Sequence, residues 1–494
     1  MRLWICLLAA VLFAPGCSPD APPPTDSGSD PGELVGAYLG HGEHRGQRGS
    51  FALEIEQVDS GELVASVSLP DQGAWDMAKI PLTLDDGRLH LLSGSFEPTA
   101  KGGLSGVLPA ELVPVHRVPI ELRRVEALDK SELPAVSGPE ARPLWTQELG
   151  SPVWGGLAVA GERLFVAADD GNLHALATSD GSSVWSFDAG GSLRGRPTLD
   201  DDSLLLLSDE GQVHALAVST GQELWRARVA EPFDRQGERE QQRYNHYASG
   251  LARAGEFWVV GTAEGRVVAL DAATGAERWS FQAGEAVSGT PVVAEGRVFV
   301  ASFDHHAYSL DAATGEELWR VDTGAPIPGS PALFDDRVIF GSRSYDLLAL
   351  DGATGEEAWG FYLWYSWIES TPTRRGANLY FGSSDAQLVT ALVGETGELL
   401  WQTRVGGSAW ARPAVSEDAV LIGALGVAGY SFDHRAAFFA LDRHDGSILW
   451  RYPIEQPAEA SRWGFVASPT IADDRVFAAD LTGRVYAFAI DPAG

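Results

Sequence analysis

One recurring pattern constrains this chain more than any other feature. Its fullest copy is Leu310-Asp311-Ala312-Ala313-Thr314-Gly315-Glu316-Glu317-Leu318-Trp319. Sister copies run from Leu270 to Trp279 and from Leu350 to Trp359; weaker ones end at Trp185, Trp225, Trp401 and Trp450, and Trp145 opens the series without its turn. Successive tryptophans lie 40, 40, 54, 40, 40, 42 and 49 residues apart. A period of about 40 residues with four short strands per unit is the spacing of a propeller blade, which buries its apolar faces only against copies of itself.

Each unit reads alike. A first strand opens near a small residue and a proline, as in Gly289-Thr290-Pro291-Val292-Val293. Arg297-Val298-Phe299-Val300-Ala301 reads as the second strand and Ala307-Tyr308-Ser309-Leu310 as the third. The Thr-Gly turn then reverses the chain into the tryptophan strand, its glycine supplying the positive φ the turn needs. The indole is large enough to pack between neighbouring sheets while its N–H finds a carbonyl. Trp145 has no first strand before it, and the last unit, ending near Ile490, has no tryptophan strand. The Trp145 strand is therefore expected to complete the final blade, which removes the free sheet edge.

Residues 34–125 alternate with period two, as in Phe51-Ala52-Leu53-Glu54-Ile55 and Leu63-Val64-Ala65-Ser66-Val67. Turn signals at Asp59-Ser60-Gly61, Asp85-Asp86-Gly87 and Lys101-Gly102-Gly103 separate these strands. They read as six to eight antiparallel strands in a small barrel or sandwich. The order of features resembles an accessory module at the N-terminus of some secreted bacterial hydrolases. The expected fold is all-β: this small domain, a linker over 126–143, and an eight-bladed propeller of four-stranded antiparallel blades over 144–494.

The N-terminus reads as an address. Arg2 precedes an apolar run, Leu3 to Phe13, of signal-peptide length and too short to span a bilayer. Ala14-Pro15-Gly16-Cys17 follows and resembles a bacterial lipobox, which makes Cys17 the expected lipid attachment and 1–17 the leader. Residues 18–33 are polar and proline-rich, and form a tether that cannot bury a core. Ser18 after the cysteine resembles an outer-membrane sorting signal. The expected location is the envelope, on the outer membrane facing the periplasm.

Composition narrows the chemistry. A net charge of −32, from 36 basic and 68 acidic residues, argues against nucleic acid as partner. No cysteine lies between residues 18 and 494, so a disulfide, a cysteine-based zinc site and a thiol nucleophile are excluded there. His41-Gly42-Glu43-His44 has metal-ligand residue types, but reads as a solvated loop. His305-His306 is expected on opposite faces of a strand. No Gly-x-Ser-x-Gly elbow or Ser-x-x-Lys pair occurs. No catalytic, metal or cofactor site is expected.

The Asp-x-x-Thr-Gly-x-x-x-Trp pattern resembles the tryptophan-docking motif of quinoprotein-like propellers. In that superfamily the dehydrogenases that use pyrroloquinoline quinone (PQQ) carry a vicinal disulfide beside the cofactor, which this chain cannot form. The combination of anchor, blade count and motif also resembles the propeller lipoproteins of the outer-membrane β-barrel assembly machinery. That resemblance implies a non-catalytic, lipid-anchored scaffold that binds envelope proteins through loops on a propeller face. A small-ligand or glycan sensor and a PQQ-dependent oxidoreductase are the alternatives.

A partner is expected at the channel mouth, where residues two or three before the strand-opening position gather. They are Trp154, Arg194, Ser288, Pro328, Glu369, Trp410 and Val466, with Arg196 and Arg412 beside them and Trp463 in an adjacent loop. Arg and Trp there suit an interface, and equally suit packing between blades. Two insertions stand out, at 229–247 and 360–369. In the second, alternation puts Phe361, Leu363 and Tyr365 on one side and Tyr362, Trp364 and Ser366 on the other. One side is expected to pack and the other to be exposed; Tyr365 and Trp367 join the expected partner-binding set.

Overall fold

The structure is a computed structural model that describes residues 31–110, 112–113, 116–131, 133–233, 248–429 and 434–491. The leader, Cys17 and most of the tether lie outside the described residues, as does 234–247 of the first insertion. No described helix is long and apolar enough to cross a membrane. The chain divides into two compact units, one holding the residues up to Ala135 together with Tyr362–Tyr365 and Gly429, the other the remainder.

The first unit is a closed barrel of eight antiparallel strands. They are β1 (Gly36–His44), β2 (Gln47–Gln57), β3 (Leu63–Leu69), β4 (Ala74–Asp85), β5 (Arg88–Leu91), β6 (Gly94–Pro98), β7 (Leu104–Val107) and β8 (Pro119–Val125). Neighbours in sequence pair throughout, and β8 returns to β1. Arg45-Gly46 and Asp86-Gly87 make two-residue turns with positive φ at both positions, the twist that antiparallel hairpins favour. The period-two alternation puts Phe51, Leu53, Ile55, Leu89, Phe96, Ile120 and Leu122 inside.

His41-Gly42-Glu43-His44 corrects the loop expectation: it is the end of β1, carried straight into the tight turn at Arg45. His41 Nδ1 lies 3.0 Å from Ser50 Oγ on β2, and the rings of His44 and His116 meet at 4.1 Å, tilted by 34°. The glycine has the structural role. Gly42 pairs directly with Gly49. A Cβ on either would come within 2.6 or 2.3 Å of the Trp364 indole, so the two bare positions form its slot. Gln72 Nε2 donates to the carbonyls of Trp364 and Tyr365 at 3.3 and 3.0 Å. Phe361 to Ser366 are all buried, so neither side of this run is an exposed patch and Tyr365 is not a rim residue. A strand-like alternation fails here because aromatic side chains pack on both sides of the segment.

The second unit is the propeller. Its strand β9 (Trp145–Glu148) comes first in sequence and last in the sheet order. Blade 1 is β10 (Leu157–Ala160), β11 (Arg163–Ala167), β12 (Asn172–Ala177) and β13 (Ser183–Asp188). Blades 2 to 7 repeat this plan over 198–228, 251–282, 292–322, 332–362, 373–404 and 414–454, with Arg462–Gly464 pairing as a fifth strand to the second strand of blade 7. Blade 8 takes three strands from 470–489 and its fourth from β9, which pairs with Arg484–Ala489. The N-terminal strand thus completes the last blade, as its isolated tryptophan implied. Residues 139–141 run beside Arg451 of blade 7 on the way to β9: Ala141 N–H donates to the Arg451 carbonyl at 2.9 Å and Arg451 N–H to that of Pro139 at 2.8 Å.

The repeat motif explains how blades join. Asp311 Oδ1 accepts from the N–H groups of Ala313 and Thr314 at 3.0 and 2.9 Å, which fixes the turn. Those bonds, the Thr314 N–H foremost, hold the Asp311 carboxyl below the usual carboxylate range. Gly315, with φ +75°, then presents a bare Cα to Trp279 of the preceding blade, where a Cβ would meet the ring at 2.5 Å. Trp279 Nε1 donates to the Ala312 carbonyl at 3.1 Å. The same bond joins Trp145 to Thr178, Trp225 to Ala272, Trp319 to Gly352, Trp359 to Gly394, Trp401 to Arg443 and Trp450 to Ile490. Trp185 packs against Gly221 in the same way, but its N–H meets no acceptor among the described residues.

Candidate functional site

The first strands of adjacent blades touch in turn round the domain, or are joined by hydrogen bonds such as Thr198 Oγ1 to the Leu251 carbonyl at 3.0 Å. Eight innermost strands therefore ring an axial channel. The segment entering each of them places a buried anchor such as Val153, Leu193, Val287 or Ile327, and the next residue is the one expected at the channel mouth.

Most of those residues are less open than their positions suggested. Ser288, Glu369, Trp410 and Val466 are buried, and Pro328 is covered as well. The hairpin turns between the second and third strands lie against the entering segments, Phe303 N–H donating to the Ala286 carbonyl at 2.9 Å and Arg343 N–H to that of Pro326 at 3.0 Å. Arg343, from such a turn in blade 5, puts its Nε 2.8 Å from Glu369 Oε1. Both side chains are almost wholly buried, at 8% and 3% exposure. The Arg343 guanidinium lies between the rings of Phe303, at 5.3 Å, and Trp367, at 4.6 Å. Glu369 and Trp367 thus belong to an internal ion pair and its aromatic clamp. Trp463 is buried too, filling the space above Gly426 and donating to the Ile454 carbonyl at 3.2 Å.

One sector of the mouth keeps an accessible surface. Trp410, Leu425 and Val466 form a buried apolar base, against which Trp154, Val427 and Leu481 pack while half-buried. Arg194 lies over the Trp154 ring at 4.8 Å. Its Nε and Nη2 donate to Asp169 Oδ1 and Oδ2 at 2.6 and 3.0 Å, a bidentate pair that holds the guanidinium over the indole. The structure therefore brings together four of the sequence-expected residues, Trp154, Arg194, Trp410 and Val466. Asp169, Leu425, Val427 and Leu481 escaped sequence reasoning; Asp169 lay in an acidic turn that reads as a hairpin signal.

Arg196 and Arg412 sit deeper, on the position immediately before the strand-opening proline. Its equivalents in other blades are small: Gly156, Gly250, Thr290, Ser330, Thr371 and Ser468. Successive members are linked, Gly250 N–H to Thr290 Oγ1 at 2.9 Å, Thr290 N–H to Ser330 Oγ at 2.8 Å and Ser330 N–H to Thr371 Oγ1 at 3.0 Å. The Arg196 side chain covers Gly156, which bridges to Ser468, whose Oγ accepts from the Arg412 N–H at 3.2 Å. The two arginines thus flank blades 8 and 1 on one collar. Arg412 is exposed although it stands on an innermost segment, so the channel is open to water there.

Fold and collar together define a closed eight-bladed propeller of tryptophan-docking repeats, with a half-open Trp–Arg sector at its mouth. A family model described as outer membrane protein assembly factor BamB matches residues 129–242, 209–360 and 304–494, and the chain belongs to that family. Outer membrane protein assembly factor BamB of Yersinia pestis is 32% identical over 119 residues. That match spans 24% of this chain and only about a quarter, 27%, of the relative. Among solved structures, BamB from Moraxella catarrhalis superposes with a TM-score of 0.55 at 18% identity, covering 71% of this chain and 99% of that one. The computationally designed Ika8 protein reaches 0.58 at 18% identity, covering 70% and 99%. The quinohemoprotein alcohol dehydrogenase ADHIIG from Pseudomonas putida reaches 0.53 at 11% identity, covering 72% and 78%. These three likenesses are of fold.

Proposed function

We propose that this chain is a non-catalytic scaffold of the bacterial envelope, lipid-anchored through Cys17, which binds protein partners of outer-membrane protein assembly at the mouth of its propeller. The observation that carries the reading is the Trp154–Arg194–Asp169 cluster on its apolar base. Trp and Arg contribute more interface energy than other residues. Here both are held in place before any partner arrives, which lowers the ordering cost of association. Membership of the BamB family supports the choice of partner class. The absence of cysteine from residues 18–494 removes the vicinal disulfide that PQQ-dependent dehydrogenases carry beside their cofactor.

Affinity capture from solubilised native envelope tests the reading. The wild-type chain is expected to recover outer-membrane assembly proteins. Arg194→Ala together with Trp154→Ala should reduce that recovery at least about tenfold, the loss of one hot-spot contact, with the melting temperature of the propeller retained. Equal recovery by both forms would overturn the assignment of this face. Cys17→Ala is expected to move the chain from the membrane pellet to the soluble fraction; retention in the pellet would count against the anchor.

A further inference from the structure

The collar carries two positive charges and, among the described residues, no negative one to match them. Arg196 uses only Nε, donating to the Leu157 carbonyl at 3.0 Å, and Arg412 uses only Nε, donating to Thr373 Oγ1 at 3.1 Å. The Nη ends of both guanidiniums, the half suited to bidentate recognition of an oxyanion, meet no acceptor among the described residues. The hydroxyls beside them are biased the same way. The oxygens of Thr290, Ser330, Thr371 and Ser468 already accept backbone N–H groups. Their hydroxyl protons have no acceptor among the described residues, so each can donate into the channel. Donors without acceptors, in a water-filled passage, are complementary to an anion.

We propose that the axial channel binds a small oxyanion, a carboxylate or inorganic phosphate, between the guanidiniums of Arg196 and Arg412, with the channel hydroxyls as further donors. The like charges explain why a ligand would be held. Burial, and secondly the charge of Arg412, push the Arg196 guanidinium down to about 10. Both remain cationic at neutral pH, and an anion between them replaces repulsion by two attractions. The net charge of −32 limits the ligand's size. A large polyanion would feel the whole acidic surface. A small one inside the channel feels chiefly the groups within a Debye length, about 8 Å at physiological salt.

Equilibrium dialysis of the detergent-solubilised full chain, with labelled inorganic phosphate and labelled succinate in separate arms at constant ionic strength in chloride, tests this. One saturable site per chain is expected in at least one arm, and the arm identifies the oxyanion. Arg196→Gln or Arg412→Gln should weaken it at least about tenfold, and the double variant should abolish it. Arg484→Gln, which breaks a surface pair with Glu148 on outer strands, should leave it unchanged. A wild-type measurement guards against variants that fail to fold: phenylglyoxal labelling of Arg196 and Arg412, read by peptide mass, should be slowed by the bound oxyanion. Absence of a saturable site in both arms, binding unaltered in the double variant, or labelling that neither anion slows would overturn the proposal. None of these results depends on partner capture by Trp154 and Arg194, so the two readings stand or fall separately.

Discussion

Arg343→Met is expected to cost about 3–5 kcal/mol of propeller stability, because it strands the Glu369 carboxylate in an environment where its side chain is only 3% exposed. Surface ion pairs of this chain, such as Arg484 with Glu148, should cost about 1 kcal/mol or less when broken, since water solvates the partner left behind. The contrast comes from desolvation rather than from contact distance. Glu369→Leu alone should also destabilise, by removing the carboxylate that the buried Arg343 guanidinium, beside Phe303 and Trp367, bonds. The double variant Arg343→Met/Glu369→Leu should recover most of the loss, since apolar replacement of both members removes the unmatched charge. Thermal unfolding of the four proteins, taken as a double-mutant cycle, checks this. Additive losses would mean that the pair is not coupled.

The second large effect is expected at the docking of one blade on the next. Trp279→Ala should destabilise by about 3–5 kcal/mol through the cavity it leaves. Gly315→Val should cost about 2–5 kcal/mol, because a β-branched residue is strained at φ +75° and its Cβ would enter the Trp279 ring. Tryptophan-to-phenylalanine changes separate the two parts of the docking contact. At Trp279 the hydrogen bond to Ala312 is lost and about 1 kcal/mol with it. At Trp185, whose N–H has no acceptor among the described residues, the same change should cost less. Equal losses at both sites would show that the indole N–H contributes nothing to docking. Urea unfolding of the full chain, followed by tryptophan fluorescence and far-UV circular dichroism, provides the measurement.

The mouth of the channel shows how position and environment separate in a repeat protein. Trp154, Glu369, Trp410 and Val466 occupy equivalent places in the blade sequence. Trp154 is half-buried under Arg194 while Glu369 and Trp410 are buried. The difference lies in the hairpin turn that meets each of them. Arg343 rises from one such turn and closes over Glu369. Leu481 and Val427 pack, like Trp154, against the Trp410–Leu425–Val466 base. These turns are remote in sequence from the residues they cover, and their lengths and side chains vary from blade to blade. A rim position therefore predicts where a residue sits and not how much water reaches it.

The aromatic run at 361–366 makes the same point from another direction. Strand alternation suggested one packed and one exposed side, and every member is buried. The partner of Trp364 is a pair of glycines, Gly42 and Gly49, more than 300 residues away in the chain. Read locally, those glycines are weak spots in two strands. Only the pairing of β1 with β2 sets them opposite each other and turns two missing side chains into one slot.

What the sequence determined by itself was everything periodic. The blade count, the Thr-Gly turns, the docking tryptophans and the completion of blade 8 by β9 all repeat a local rule, and local rules are written in residues close together. The alternation of the barrel strands is of the same kind. What the tertiary structure alone decided was which side chains face water and which charges find partners. Arg194 and Arg343 are both arginines in short connections, residues that sequence alone assigns to the surface, yet one lies over a half-buried indole and the other is sealed inside with Glu369. Arg196 and Arg412 lie 216 residues apart and share one collar only because the ring closes. Burial and charge pairing depend on distances between remote segments, and the closed ring of blades sets those distances.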